Sequence, residues 1–232
     1  MFAQVYQSGL ISLLYSVGNK PLQLWEKQEE TPARSISRVL DDDIQSSVIE
    51  LSAQESSIAK TWIRCPMAAT DSLGDSSSDA NDADERQRSL HIRLPHLVLL
   101  VKPLGGDGDK ELSIEVHVHD SRKQTRRFRA SSFQKATVVH PLITLLPLRL
   151  DARCWNQLQF NLAQLTRDAY GTTLEHTISV QLHANCRVRR VYFAETMVAE
   201  EQLPVEFRLY KRLSKAQVAA YKELDKSQNA AS

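Results

Sequence analysis

Three features of this 232-residue sequence predict a mainly β fold, a jelly-roll-like β-sandwich with one short internal helix and a C-terminal helix. About ten short stretches alternate apolar and polar residues with the period of two that a half-buried strand imposes. Turn signals separate them at close intervals, as in sandwiches and jelly rolls. Only two stretches carry helix signals, and there is no internal repeat.

Taken in order, the segment from Phe2 to Tyr15 is apolar-rich, and its period fits either a strand or a buried irregular segment. It ends in Ser16-Val17-Gly18-Asn19-Lys20-Pro21, a turn signal. Leu22, Leu24 and Trp25 open a strand, 28–36 reads as a loop, and Asp41-Asp42-Asp43 precedes a strand from Ile44 to Leu51. Ile58 to Cys65 is another strand, stopped by Pro66.

From Asp71 to Ser89 the composition turns acidic and serine-rich, too polar to offset chain entropy. Residues 70–89 therefore read as a disordered insertion within one domain spanning 1–210, followed by a tail at 211–232. His91 to Lys102 is apolar on both parities, as in a strand covered on both faces. Gly105 to Gly108 makes a tight loop. Leu112, Ile114, Val116 and Val118 then alternate with Ser113, Glu115, His117 and His119. Asp120 to Lys123 forms a hairpin turn into a strand from Gln124 to Ala130, with Arg127 and Arg129 outward. Thr137 to Leu150 holds two proline-bounded strand segments.

The stretch from Cys154 to Phe193 organises the rest. Leu158 and Phe160 share one parity in its first strand, while Trp155, Gln157 and Gln159 share the other. Asn161 caps a helix carrying Leu162, Leu165 and Ala169, with Gly171 just past its end. Ile178, Val180, Leu182 and Ala184 face one way in the next strand. In the last, Val188 is even while Val191 and Phe193 are odd, so a β-bulge must absorb one residue near Arg189 and Arg190. Arg187, Arg189 and Arg190 are expected outward there, at a sheet edge. A final short strand runs around Phe207 to Tyr210. Ser214 and Gln217 then form a capping box for a helix reaching about Leu224.

The net charge of +1 hides an asymmetry. Residues 1–85 hold 6 Lys and Arg against 14 Asp and Glu, whereas residues 86–190 hold 17 against 8. A basic middle calls for an acidic partner. Three cysteines without a Cys-x-x-Cys pair argue against a disulfide framework or zinc ribbon. No Lys or Arg precedes the first apolar run, so a signal-peptide n-region is missing and an intracellular, soluble protein is expected.

Nucleotide-binding glycine loops and the Gly-x-Ser-x-Gly elbow are absent. His117 and His119 share a strand face beside Glu115 and could hold a metal, but that face points to solvent without a third histidine nearby, and no metal or cofactor is expected. Trp25, Trp62 and Trp155 could form a sugar platform, which leaves a carbohydrate-binding module open. Two arginine clusters weigh more: Arg122, Lys123, Arg126, Arg127 and Arg129, and Arg187, Arg189 and Arg190. Guanidinium forks suit carboxylates and phosphates. Nucleic acid remains an alternative, although little aromatic interleaving accompanies the clusters. An acidic protein surface is the favoured partner.

The chain also resembles the cilia- and flagella-associated protein 20 family. The resemblance begins with Gln7-Ser8-Gly9, Leu14-Tyr15-Ser16 and Lys20-Pro21-Leu22-Gln23, and continues through Arg126-Arg127-Phe128-Arg129-Ala130-Ser131. Its densest blocks are Trp155-Asn156-Gln157, Ala169-Tyr170-Gly171-Thr172, His183-Ala184-Asn185-Cys186-Arg187 and Arg189-Arg190-Val191-Tyr192-Phe193. The resemblance implies a non-enzymatic jelly roll of the ciliary and flagellar axoneme and basal body. It implies a place at the inner junction of the doublet microtubule, in contact with α/β-tubulin of both A- and B-tubules, the Parkin-coregulated protein and other junction proteins. On that reading Arg126, Arg127, Arg129, Arg187, Arg189 and Arg190 meet the acidic tubulin surface. The insertion, the Gly105–Gly108 loop and the tail depart from the family pattern, as do His117 and His119.

Overall fold

The computed structural model describes residues 1–3, 6–29, 35–53, 58–67, 89–105 and 110–208. Within 1–197, two sheets pack face to face. One has the order β11-β6-β13-β4-β3, with β1 also paired to β13. The other has the order β2-β5-β12-β7-β8-β10-β9. The strands of the first are β1 (Leu10–Tyr15), β3 (Ile36–Asp41), β4 (Ser46–Leu51), β6 (His96–Pro103), β11 (Asn156–Asn161) and β13 (Cys186–Ala194). Those of the second are β2 (Glu26–Gln28), β5 (Trp62–Cys65), β7 (Ser113–Asp120), β8 (Thr125–Ser131), β9 (Val138–Val139), β10 (Ile143–Pro147) and β12 (Leu174–His183). The β-sandwich expected from the alternation is what the chain forms.

One continuous core fills the space between the sheets. Leu99, Val101, Val191 and Phe193 from the first sheet meet Ile63, Val116, Phe128 and Leu182 from the second, all essentially buried. Each such side chain removes enough apolar surface from water to contribute roughly 1.5–3 kcal/mol. Helix α1 (Leu162–Tyr170) packs Leu162, Leu165 and Ala169 against this core. Asn161 Oδ1 accepts from Gln164 N at 2.9 Å, and Gly171 closes the helix at φ 64°, as its position predicts.

Several sequence expectations change. Residues 21–24 form turns rather than a strand, and β2 begins only at Glu26. Ile36–Asp41 is an additional strand, joined to β4 by a turn in which Asp41 Oδ1 accepts from Asp43 N and Ile44 N. The strand before Pro103 begins at His96, since Ile92 makes only an isolated bridge to Thr177. In β12 the register shifts between Thr177 and Ser179, which takes Ile178 out of the core. Val205–Phe207 is a 3-10 turn, as is Glu200–Gln202, both in a second compact unit spanning 198–232. Residues 70–88 of the acidic insertion expected at 70–89, residues 106–109 of the glycine loop, Tyr210 and the C-terminal helix lie outside the described residues, while Ser89 is described and buried.

Candidate functional site

The outer face of the seven-stranded sheet is built by register. Across β10, β8, β7, β12, β5 and β2, the residues Leu145, Arg129, Glu115, Gln181, Arg64 and Glu26 stand side by side. A second row brings Ile143, Arg127, His117 and Ser179 together. Strand alternation sends Phe128 and Ala130 into the core and leaves Arg127 and Arg129 outside, as the sequence predicts.

Glu115 is the hub of this face. Arg129 donates through Nε to Oε1 at 2.9 Å, while Arg127 Nε lies 3.7 Å from Oε2. The His117 and His183 rings approach the same carboxylate at 3.7 and 3.4 Å. Burial by itself would raise the Glu115 pKa. The His117 and His183 rings and the Arg129 charge outweigh it and hold the carboxyl far below its usual range. Nε is the atom by which each arginine comes nearest to Glu115. Among the described residues their terminal Nη nitrogens make no hydrogen bond, and the side chains are 43% and 37% exposed.

Arg126 differs from its neighbours. Its Nε donates to Asp120 Oδ2 at 2.8 Å, it also donates to the Pro141 carbonyl, and its guanidinium lies 4.5 Å above the Tyr170 ring. Asp120 further accepts from the Arg122 and Gln124 amides, so Arg126 helps tie the hairpin turn to the body. Lys123, at the turn, pairs with Glu175.

The second cluster lies on β13, and its expected bulge is present: the register against β6 shifts between Val188 and Arg190. The expected edge is not. β13 is a central strand, flanked by β6 on one side and by β4 and then β1 on the other. Arg187 donates to Asp41 and Glu50, each at 2.8 Å. Arg189 donates to Ser16 Oγ and the Ser47 carbonyl. Arg190 is 4% exposed and stacks 4.2 Å from the Tyr15 ring. The expectation of three outward arginines is thus corrected for Arg190, which is buried, while Arg187 and Arg189 are half-buried and engaged by the chain's own groups. Carboxylates, carbonyls and an aromatic ring offset the desolvation of these guanidiniums.

Other candidates part company as well. Trp155 is buried and donates Nε1 to Asp41 at 3.1 Å, and Trp25 is buried with Nε1 on the Leu13 carbonyl, so no tryptophan platform forms. His117 turns to Glu115, whereas His119 stacks 5.1 Å from His176. Sequence reasoning passed over Glu115 and Asp41 as hubs. A turn over Asp120–Lys123 would set Glu115 opposite Phe128; the observed hairpin pairs His119 with Thr125, one residue further on, and so brings Glu115 to Arg129. Nothing local marks Asp41.

With this geometry in hand, relatives can be placed. A family model, the CFA20 domain, matches residues 1–211. The chain belongs to the CFA20 family. Cilia- and flagella-associated protein 20 of Chlamydomonas reinhardtii is 44% identical over 216 residues, covering 93% of this chain and all of the relative. The proteins of that name from Paramecium tetraurelia and Caenorhabditis elegans are 42% identical over 215 and 210 residues. These cover 93% and 90% of this chain, and 99% and 91% of the relatives. The names associate these CFA20 relatives with cilia and flagella and mention no enzymatic activity. Among solved structures, the agarase AgWH50C aligns with 96% of this chain and 31% of its own, at 8% identity and a TM-score of 0.26. An exo-beta-agarase aligns with 95% and 31%, at 10% and 0.29. Likeness at that level carries no argument about activity.

Proposed function

We propose that this CFA20-family chain is a non-enzymatic structural component of the ciliary and flagellar axoneme. It binds tubulin at the inner junction, tying the B-tubule to the A-tubule beside the Parkin-coregulated protein, and it is also found at the basal body. The observation that carries the reading is the 41–44% identity to cilia- and flagella-associated relatives over nearly the whole of both chains. The partly exposed Arg127 and Arg129 side chains supply a suitable chemistry for an acidic polymer wall.

The test is retention on doublets. A tagged chain expressed in ciliated cells should co-purify with detergent-extracted axonemes and wash off more readily as salt rises. R127E/R129E should lower retention while leaving the protein folded. Absence of the unmutated chain from doublets would overturn the proposal.

A further inference from the structure

We infer that Arg127 and Arg129 form a paired carboxylate receptor for an extended acidic peptide whose acidic side chains recur at every second residue. The inference rests on the reading above and deepens it, by giving the acidic partner a shape. The two arginines stand two apart on β8, so their anchor points repeat at about 6.8 Å, the rise of two extended residues. A peptide in β conformation laid along β8 presents its alternate side chains at that same spacing.

The site is built in three respects. Glu115 accepts from Arg129 Nε and lies 3.7 Å from Arg127 Nε, which steers both side chains, and no hydrogen bond occupies their terminal forks among the described residues. Those forks can each take a carboxylate end-on through two parallel hydrogen bonds. Because the side chains are already steered, less rotamer entropy is lost on binding. One internal carboxylate beside two guanidiniums leaves positive charge in excess.

The neighbouring strand argues for peptide over nucleic acid. Ile143 and Leu145 flank the two arginines on the same face, and Leu142, Val138 and Val139 lie exposed just beyond. An acidic peptide with apolar residues can use that margin, whereas a phosphate backbone has nothing to offer it.

The isolated chain and labelled synthetic peptides test this by fluorescence anisotropy, without tubulin. A peptide repeating Glu-Val should bind, and more weakly at physiological than at low salt. A block peptide of the same composition, with its glutamates contiguous, should bind at least about 10-fold more weakly, a loss of about 1.4 kcal/mol. R127A/R129A should abolish the difference between the peptides. R127K/R129K keeps the charge but not the fork, and should lose most of the affinity. Equal binding of the two peptides, undiminished binding by the lysine variant, or tighter binding of poly-dT than of the Glu-Val peptide would each overturn the inference. Because doublets are not involved, failure here leaves the axonemal reading standing, and absence from doublets with peptide binding intact would mark the axonemal reading as the one that failed.

Discussion

Arg187 reaches across the first sheet to Asp41, 146 positions away in sequence, and donates Nη1 to its Oδ2 at 2.8 Å. Asp41 has no exposed side-chain surface, and its other oxygen accepts from Trp155 Nε1 and from two amides of its own turn. The arginine spends its remaining reach on Glu50. Arg187 is therefore a tie between β3, β4 and β13, and only secondarily a surface cation.

This separates two kinds of arginine by their variants. R187A should destabilise the fold by about 3 kcal/mol, because it leaves the buried Asp41 carboxylate with only the more distant Lys102 ammonium, 3.9 Å away. R127A removes a 43% exposed side chain that lies 3.7 Å from its nearest carboxylate, and should change stability by less than about 1 kcal/mol. Urea denaturation followed by tryptophan fluorescence measures both. Comparable losses would show that Arg187 is no more structural than Arg127.

Trp155 hangs from the same carboxylate. W155F keeps a six-membered aromatic ring but removes the donor at 3.1 Å and part of the buried indole, and should cost at least about 1.5–3 kcal/mol, the range for a hydrogen bond to a charged group. The double variant W155F/D41N should fall short of the sum of its two singles, since both remove one network. Additive losses in a double-mutant cycle would dissolve the link.

How far the sequence could see follows from which forces act locally. The α1 caps were legible because Asn161 and Gly171 satisfy backbone groups within four residues of themselves. The bulge was legible because the parity break between Val188 and Val191 leaves no other way to keep both inside. Arg127 and Arg129 were placed outward correctly by alternation alone. What alternation does not reveal is a strand's neighbours. β13 looked like an edge because its arginines looked solvated, yet β4, β1 and β6 come from segments far away in sequence. The parity of Trp155 was read correctly, but its burial depends on Asp41, 114 positions away. β3 went unread because its alternation is weak, leaving Leu40 62% exposed.

The three cysteines should divide cleanly. Cys65 and Cys186 are buried, and burial pushes both thiols up to about 12, so neither supplies thiolate at neutral pH. Cys154 is exposed. A thiol-reactive dye should label Cys154 alone in the native protein and all three in denaturant, with C154S unlabelled until it unfolds. Rapid native labelling of C154S would contradict the burial of the other two.

Acid should unfold the protein from a defined pH downward. Asp41, Asp120 and Glu115 all sit below their ordinary values of 3.8, 3.8 and 4.5. In each, burial acts to raise the pKa and is overcome by hydrogen bonds and nearby cations. A depressed folded pKa contributes stability that is complete above the unfolded value and drains as pH falls through it. Stability should therefore be flat in this respect above about pH 5 and decline below. E115Q should blunt the decline, measured as denaturation midpoint against pH. An unchanged slope would mean that Glu115 is not a stabilising carboxylate.

One histidine shifts that onset upward. His176 lies 4.6 Å from His91 and 5.1 Å from His119, with Glu175 and Arg93 also near. Burial first, then the two neighbouring imidazoles, lowers its pKa from 6.5 to about 4. Here the folded state binds protons less readily than the unfolded chain. Stability is full above 6.5 and falls as pH drops from there toward 4, the unfolded state taking up the proton that the native state refuses. H176Q removes the titrating ring but keeps a polar side chain, so its stability should be nearly constant between pH 6.5 and 5, where the unmutated protein loses stability. Hydrogen exchange at Leu90 and Thr177 is the local readout, because their amides bond to Ile178 and Ile92 across this contact. In the unmutated protein, protection of those two amides should weaken on mild acidification. If it holds down to pH 5, repulsion within the histidine stack is not what destabilises this corner.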